Sequence, residues 1–246
     1  MNRIGAVILA AGKGSRMKLR VAKNKVILPL GDKPMVLHTV ELLVKSKLKP
    51  IIVVVGFAQK SVMNILRFTD VVFVYQRKRL GTAHALSCAF RKIPESMTDL
   101  VVLQGDDSAF YTKAIIKELI KKHVKSRSSI TLLTINVKNP YGLGRIIRNK
   151  KGEITEIVEE KDANQDQKKI KEINPACYIF KADFLKKYLK KVKKSKLTGE
   201  YYLTSLIGLA LKNHKKVDTF SAGNIPWRGV NTPDELKEAE KMFLQA

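Results

Sequence analysis

Cysteine is nearly missing from this 246-residue chain. Cys88 and Cys177 stand far apart in apolar surroundings with no C-x-x-C spacing. That excludes a disulfide framework and a thiolate zinc site of ordinary spacing, and leaves buried, reduced thiols. No His/Asp or Cys/His arrangement for nucleophilic catalysis stands out. Long apolar runs are absent too: none approaches the roughly 18 residues of a membrane span. The N-terminal run Ile4 to Ala11 flows into a charged loop instead of a cleavage site, which sets the expectation of a soluble cytoplasmic protein. Acidic residues are few, 22 against 47 Lys and Arg, giving a formal net charge of +25. Such an excess speaks to anionic partners or solubility, not to fold. Much of it lies in runs such as Lys186 to Lys194, where apolar residues interrupt at helical spacing. That pattern reads as a solvated helix face. Nucleic-acid contact is the less favoured reading, since no zinc-finger, RNP or basic-zipper signature accompanies it.

What is present starts with Ala6-Val7-Ile8-Leu9-Ala10-Ala11-Gly12-Lys13-Gly14-Ser15-Arg16-Met17, an apolar strand entering a glycine-bearing basic loop. Gly12 and Gly14 can take positive φ and bring backbone N–H groups close to phosphate oxygens, while Lys13 and Arg16 add charge. The pattern is neither G-x-G-x-x-G nor G-x-x-x-x-G-K-[ST], and a purely structural turn stays open. Further along, helical spacing over Met35 to Ser46 is followed by a β-branched run, Ile51 to Val55. A helix at Val62 to Phe68, a strand at Val71 to Tyr75, a helix ending near Phe90 and a strand at Leu100 to Gln104 come next. This alternation predicts a Rossmann-like α/β fold, a mostly parallel sheet flanked by helices with ligands at the carboxyl ends of its strands.

Two polar clusters fall at such ends. Gln76 to Ala85 leaves a strand and enters a helix whose first N–H groups are unpaired, with His84 either a packing or capping residue or a catalyst. Gly105-Asp106-Asp107 places adjacent carboxylates that are costly to desolvate without a cation, the plainer alternative being a turn before the helix at Thr112 to Lys125. Past Ile130 to Val137 the rhythm changes. A hairpin at Ile146 to Arg148 and Ile154 to Val158, a loop at Glu159 to Asn164, a strand at Ile173 to Phe180 and helices at Ala182 to Lys193 and Glu200 to Lys212 are expected. They form a smaller β-rich lobe over the carboxyl edge of the sheet. Thr232 and Pro233 start a C-terminal amphipathic helix. The expected layout is one domain, about 1–128 for the parallel-sheet half, about 129–228 for the lobe and about 229–246 for the closing segment.

Taken in order, Leu9 to Met17, Gln76 to Ala85, Gly142 to Ile146, Ile157 to Ala163, Glu172 to Asn174, Gly199 to Thr204 and Gly229-Val230-Asn231 resemble the sugar-phosphate nucleotidyltransferase superfamily. Within it they are most similar to the uridyltransferase domain of the bacterial bifunctional N-acetylglucosamine-1-phosphate uridyltransferases. The resemblance implies uridylyl transfer from UTP to a sugar 1-phosphate, giving a UDP-sugar and pyrophosphate. It implies that Leu9, Ala10, Ala11, Gly12 and Gly14 hold the nucleotide, with Gln76, Gly81 and Thr82 reading the uracil. It gives Gly144, Glu159 and Asn174 to the sugar, Asp106 and Asn231 to a Mg²⁺ ion, and the catalytic charge to Arg16 and Lys25. An ionised phosphate needs no general base, so cations and alignment are what this chemistry requires.

Departures from the family pattern are equally specific. The interval from Met17 to Asn24 is longer than the family spacing, so Lys23 keeps the upstream distance from Arg16 while Lys25 keeps the downstream distance to Lys33-Pro34-Met35; Lys25 is preferred. Asn24 stands where a proline usually precedes the lysine. Asp107-Ser108, Pro175-Ala176 and Ser205 replace a hydrophobic-proline pair, Thr-Gly and an aspartate. The sugar-side changes leave another sugar 1-phosphate or thymidine triphosphate as alternatives, and a non-catalytic nucleotide-sugar sensor as a reading of a different class. The family's second domain, a hexapeptide-repeat acetyltransferase that trimerises the protein, is not expected in this chain, and the oligomeric state is left open.

Overall fold

The computed structural model describes residues 3–18 and 23–245. In chain order its elements are β1 (Ile4–Ala10), β2 (Pro29–Leu30), β3 (Lys33–Pro34), α1 (Met35–Lys45), β4 (Ile51–Val55), α2 (Gln59–Ile65), β5 (Val72–Tyr75), α3 (Thr82–Phe90), β6 (Asp99–Gln104) and α4 (Lys113–Ser126). There follow β7 (Ile130–Asn136), β8 (Arg145–Arg148), β9 (Ile154–Val158), α5 (Gln165–Lys168), β10 (Glu172–Ile173), β11 (Tyr178–Lys181), α6 (Ala182–Tyr188), α7 (Ser205–Lys212), β12 (Val217–Ser221) and α8 (Pro233–Leu244). Single 3₁₀ turns lie at Ser15–Met17, Lys25–Ile27 and Leu189–Lys191.

The main sheet runs β5-β4-β1-β6-β11-β7-β10-β8-β9, with β12 pairing to β7. The first four strands are parallel; only β11, β10 and β9 run against the rest. β1 is buried on both faces because its alternate side chains enter two cores. Val7 and Leu9 pack with α3, α6 and α7, while Ala6, Ile8 and Ala10 pack with α1 and α4. A continuous apolar run is what such a doubly covered strand demands. Among the described residues no helix is long and apolar enough to cross a membrane.

Several expected elements are redrawn. The strand expected over Ile173 to Phe180 is two strands, β10 and β11. Pro175 has no N–H for a ladder and Ala176 sits at φ 55°, so pairing stops between them. The helix expected from Glu200 begins at Ser205; the preceding stretch stays extended because Tyr201 bonds to Leu80 and Ala83. The helix expected at Val62 to Phe68 runs from Gln59 to Ile65, and β12 was not foreseen at all. α8 matches its start signals, with Thr232 and Glu235 forming a reciprocal capping box and Pro233 in the first turn.

At the edge of the sheet opposite the carboxyl ends of β1 and β6, Asp99 is fully buried. Its carboxylate receives Thr98 Oγ1 at 2.7 Å and His123 Nε2 at 3.0 Å, and His123 Nδ1 lies 2.7 Å from Thr131 Oγ1. Burial alone pushes the Asp99 carboxyl up, but the bonds from His123 and Thr98 outweigh it and hold the group below its ordinary value. The contribution to stability is therefore complete above pH about 4 and is lost as pH falls through the depressed folded value. His123→Ala is expected to cost about 3 kcal/mol, since it strips a buried carboxylate of its partner. In a thermal melt that is a fall of about 6–12 °C; a midpoint unchanged from the parent would refute the role. Asp99→Asn is expected to flatten the acid limb of the midpoint-against-pH curve.

Candidate active site

Two cavities open at the carboxyl ends of β1 and β6. The first, about 410 Å³, is lined by Leu9 to Arg16, Asn24, Lys25, Gln76, Arg79, Gly81 and Thr82, among others. The second, about 390 Å³, is lined by Gly142 to Gly144, Glu159, Asn174, Ala176, Tyr178 and Tyr202 to Thr204. They share one wall made by Arg16, Lys25, Thr82, Gln104, Asp106 and Asn231. Every residue singled out for the nucleotide thus lies in one cavity and every residue singled out for the sugar in the other. Arg16, Lys25, Asp106 and Asn231 stand between.

The glycine loop is built by its local conformations. Gly14 has φ 61°, and a Cβ there would come within 2.8 Å of Lys25 Cβ, so the missing side chain lets the Lys25 stem pass. Gly12 does not have positive φ and has open space around it, which corrects the expectation of left-handed backbone at both glycines. Lys25 comes off the next 3₁₀ turn. Its ammonium pairs with the Asp106 carboxylate, donates to Val230 O and lies 3.1 Å from Asn231 Oδ1. Arg16 Nη2 donates to the same Asn231 oxygen at 3.0 Å. Lys23 is exposed and lines neither cavity. Burial pulls the Lys25 pKa down, but the Asp106 and Asp107 charges outweigh it and leave the group raised and cationic.

Asn231 is held by its backbone: its N–H donates to Glu235 Oε2 at 2.7 Å, the carboxylate that also receives Thr232 N–H at 3.0 Å. Asp107 faces the second cavity with Oδ1 buried and unpartnered, and burial together with the Asp106 charge pushes its carboxyl up to about 8. The residues fit a hard divalent cation. The Asp106 carboxylate and the Asn231 amide oxygen, which already face the cations of Lys25 and Arg16, are hard oxygen donors of the kind such an ion takes. Among the described residues there is no cluster of three His, Cys, Asp or Glu side chains, so such an ion would draw further ligands from substrate phosphates and water.

Gln76 is buried, and Nε2 reaches both Gly81 O at 2.9 Å and His84 Nδ1 at 3.0 Å. Both amide donors are used, so the group left for a ligand is an acceptor, Oε1. His84 therefore orients Gln76, a role between the packing and catalytic alternatives. On the other side, the Asn139 to Gly144 turn is latched by Glu160, which accepts Gly142 N–H at 3.1 Å and pairs with the buried Arg145. Glu159 is pushed up by burial and by Asp162, with Arg145 opposing. Asn174 donates to Tyr178 Oη at 2.7 Å. Sequence reasoning missed Gln104, Tyr178, Tyr202 and Thr204 as lining residues. The last two lie inside Gly199 to Thr204, a recognised motif in which they received no role.

A two-chamber cleft at the carboxyl edge of an open α/β sheet, lined where the chambers meet by cations and a carboxylate–amide pair, lies where such folds bind their ligands. The chain belongs to the nucleotidyl transferase family, whose model matches residues 5–246. It is 39% identical over 237 residues to the bifunctional protein GlmU of Caldicellulosiruptor saccharolyticus, covering 96% of this chain and 50% of that protein. It is 36% identical over 241 residues to the bifunctional protein GlmU of Desulfotalea psychrophila, covering 98% of this chain and 70% of that one. The chain spans about half the length of most of the curated relatives it matches. In fold it is similar to a crystal structure of a putative glucose-1-phosphate thymidylyltransferase from Bacillus anthracis in complex with a sucrose. The TM-score is 0.81 at 23% identity, with 99% of this chain and 96% of that one covered.

The start of α3 offers a direct check on how the first chamber is built. Gly81 has φ 98°, and a Cβ would stand 2.5 Å from Tyr201 O and 2.8 Å from Tyr201 N. Gly81→Ala has no flexible neighbour to displace and is expected to cost about 2 kcal/mol or more in urea unfolding, with weakened nucleotide binding. Stability and binding equal to the parent would contradict this geometry.

Proposed function

We propose that this protein transfers a uridylyl group from UTP to N-acetylglucosamine 1-phosphate, giving UDP-N-acetylglucosamine and pyrophosphate. The observation that carries the reading is the shared wall: Lys25, Arg16, Asp106 and Asn231 lie between a chamber suited to a nucleotide and one suited to a sugar. In the reaction an oxygen of the sugar phosphate forms a bond to the α-phosphorus of UTP while the bond from that phosphorus to the α–β bridging oxygen breaks. The electron pair leaves on pyrophosphate. Both partners are anions, so the work of the protein is to cancel repulsion and hold the attacking oxygen in line.

Each group has a place in that work. Lys25 and Arg16 offset phosphate charge at the junction of the chambers. The Leu9 to Gly14 backbone approaches the nucleotide. Gln76, with only an acceptor left, suits the N3–H of uracil or thymine and opposes cytosine, whose N3 is itself an acceptor. Gly144, Glu159 and Asn174 meet the sugar. Mg²⁺ held by Asp106 and Asn231 would supply charge neutralisation at the phosphates. The thymidylyltransferase similarity makes glucose 1-phosphate and thymidine triphosphate the substrates to compare, and Ala176, which lines the sugar chamber, is where the chain departs from the family's sugar side.

The test is pyrophosphate release with UTP, CTP and thymidine triphosphate against a panel of sugar 1-phosphates. Turnover is expected with UTP and N-acetylglucosamine 1-phosphate, falling at least about tenfold with CTP and lost on chelation of Mg²⁺. Lys25→Ala is expected to lower kcat about 100-fold, whereas Lys23→Ala stays within about twofold. No turnover with any pair would sink the proposal; turnover with another sugar alone would reassign the acceptor.

A further inference from the structure

Asn24 carries more hydrogen bonds than a residue on a short connecting turn needs. It is 1% exposed. Nδ2 donates to Ala10 O and to Phe57 O, both at 2.9 Å, and Oδ1 accepts Val26 N–H at 3.1 Å. Both donors of the amide are consumed, on two backbone carbonyls from different parts of the fold. Ala10 ends β1 and opens the glycine loop; Phe57 follows β4, its own N–H returning to Ala11 O at 3.0 Å. Val26 belongs to the 3₁₀ turn that carries Lys25, and Asn24 is the cap of that turn. One side chain thus ties the origin of Lys25 to two neighbouring strand ends.

We propose that Asn24 is the positioning residue for Lys25, its buried amide setting where the lysine stem leaves the backbone so that the ammonium meets Asp106 and Asn231. The proposal rests on the reading of Lys25 as the cation of the transfer step. A lysine has a flexible four-carbon stem, so its ammonium is placed only as well as its Cα is anchored. The far end is fixed by Asp106, Val230 and Asn231, and Gly14 leaves the stem its path. Among the described residues the near end is held by Asn24 and by the Lys25 carbonyl, which accepts Leu28 N–H at 3.0 Å within the turn that Asn24 caps. A proline at this position, as in the family pattern, could form none of these side-chain bonds, so in this chain the anchoring is done by hydrogen bonding.

The experiment is a double-mutant cycle in the full chain. Asn24→Ser retains a cap for Val26 N–H but is too short to reach both carbonyls. It is expected to lower kcat by about 10- to 100-fold, with both KM values within about threefold. In a Lys25→Ala background it is expected to add less than about twofold, because the group it positions is gone. The same cycle is read without turnover by calorimetric binding of inorganic pyrophosphate, where each single variant weakens binding and the double variant weakens it no further. An unchanged kcat, losses that multiply in the double variant, or a loss carried by the KM for UTP would overturn the proposal, the last pointing to the glycine loop through Ala10. If Asn24→Ser does not fold, Asn24→Gly, a tolerated cap residue that bonds neither carbonyl and buries no charge, takes its place in the cycle. A parent protein inactive with every sugar and nucleotide sinks the proposed function alone; the pyrophosphate cycle still decides Asn24.

Discussion

The ion pair of Lys25 with Asp106 is the contact on which the cleft is hung. It joins the turn after the glycine loop to the end of β6, and through Asn231 it draws in the segment that leads to α8. Neither charge is well solvated, so neither is tolerable without the other. Arg16 and Glu235 complete the arrangement from opposite sides, the first on the Asn231 side chain and the second on its backbone. Segments remote in sequence are held at one place by charge and amide groups where the two chambers meet. Apolar packing makes the sheet; these polar contacts make the cleft.

Much of this was readable in advance because it is written locally. A continuous apolar strand followed by small residues, β-branched runs at regular spacing, and a Thr-Pro-x-Glu start for the last helix are short-range signals with direct physical causes. The preference for Lys25 over Lys23 rested on the family pattern, whose downstream spacing to Lys33-Pro34-Met35 favours Lys25 while the upstream spacing from Arg16 favours Lys23; of the two, Lys25 lines both chambers. What escaped is long-range. β12 is a half-buried Val-Asp-Thr-Phe-Ser run that becomes a strand only because β7 offers it an edge. The break at Pro175 and Ala176 lies inside an otherwise strand-like stretch. The pairing of His84 with Gln76 across a loop, and of Glu160 with Gly142 and Arg145, depends on which turns face each other. Residue types along the chain do not encode that.

The two chambers differ in how they are held. The first is framed by strand ends and the start of α3, with Gln76 locked in place by its own neighbours. The second is framed by the Asn139 to Gly144 turn and by the stretch from Asn174 to Tyr178, including an alanine at φ 55°. Backbone in that region costs on the order of a kilocalorie per mole and persists where its surroundings dictate it. Here Asn174 does so, accepting the Ala176 N–H at 3.2 Å.

β11 lies between β6 and β7 in the sheet, yet the chain makes both of those strands before it reaches Tyr178. During synthesis the emerging polypeptide therefore exposes two unpaired strand edges until β11 is available to close the gap between them. Such edges are templates for pairing with other chains, and long-range closure of this kind is slow. The period before β11 arrives is thus the interval in which a newly made molecule is most open to aggregation. The lysines of the Lys186 to Lys194 run, in the last turn of α6 and just beyond it, emerge only as that interval ends.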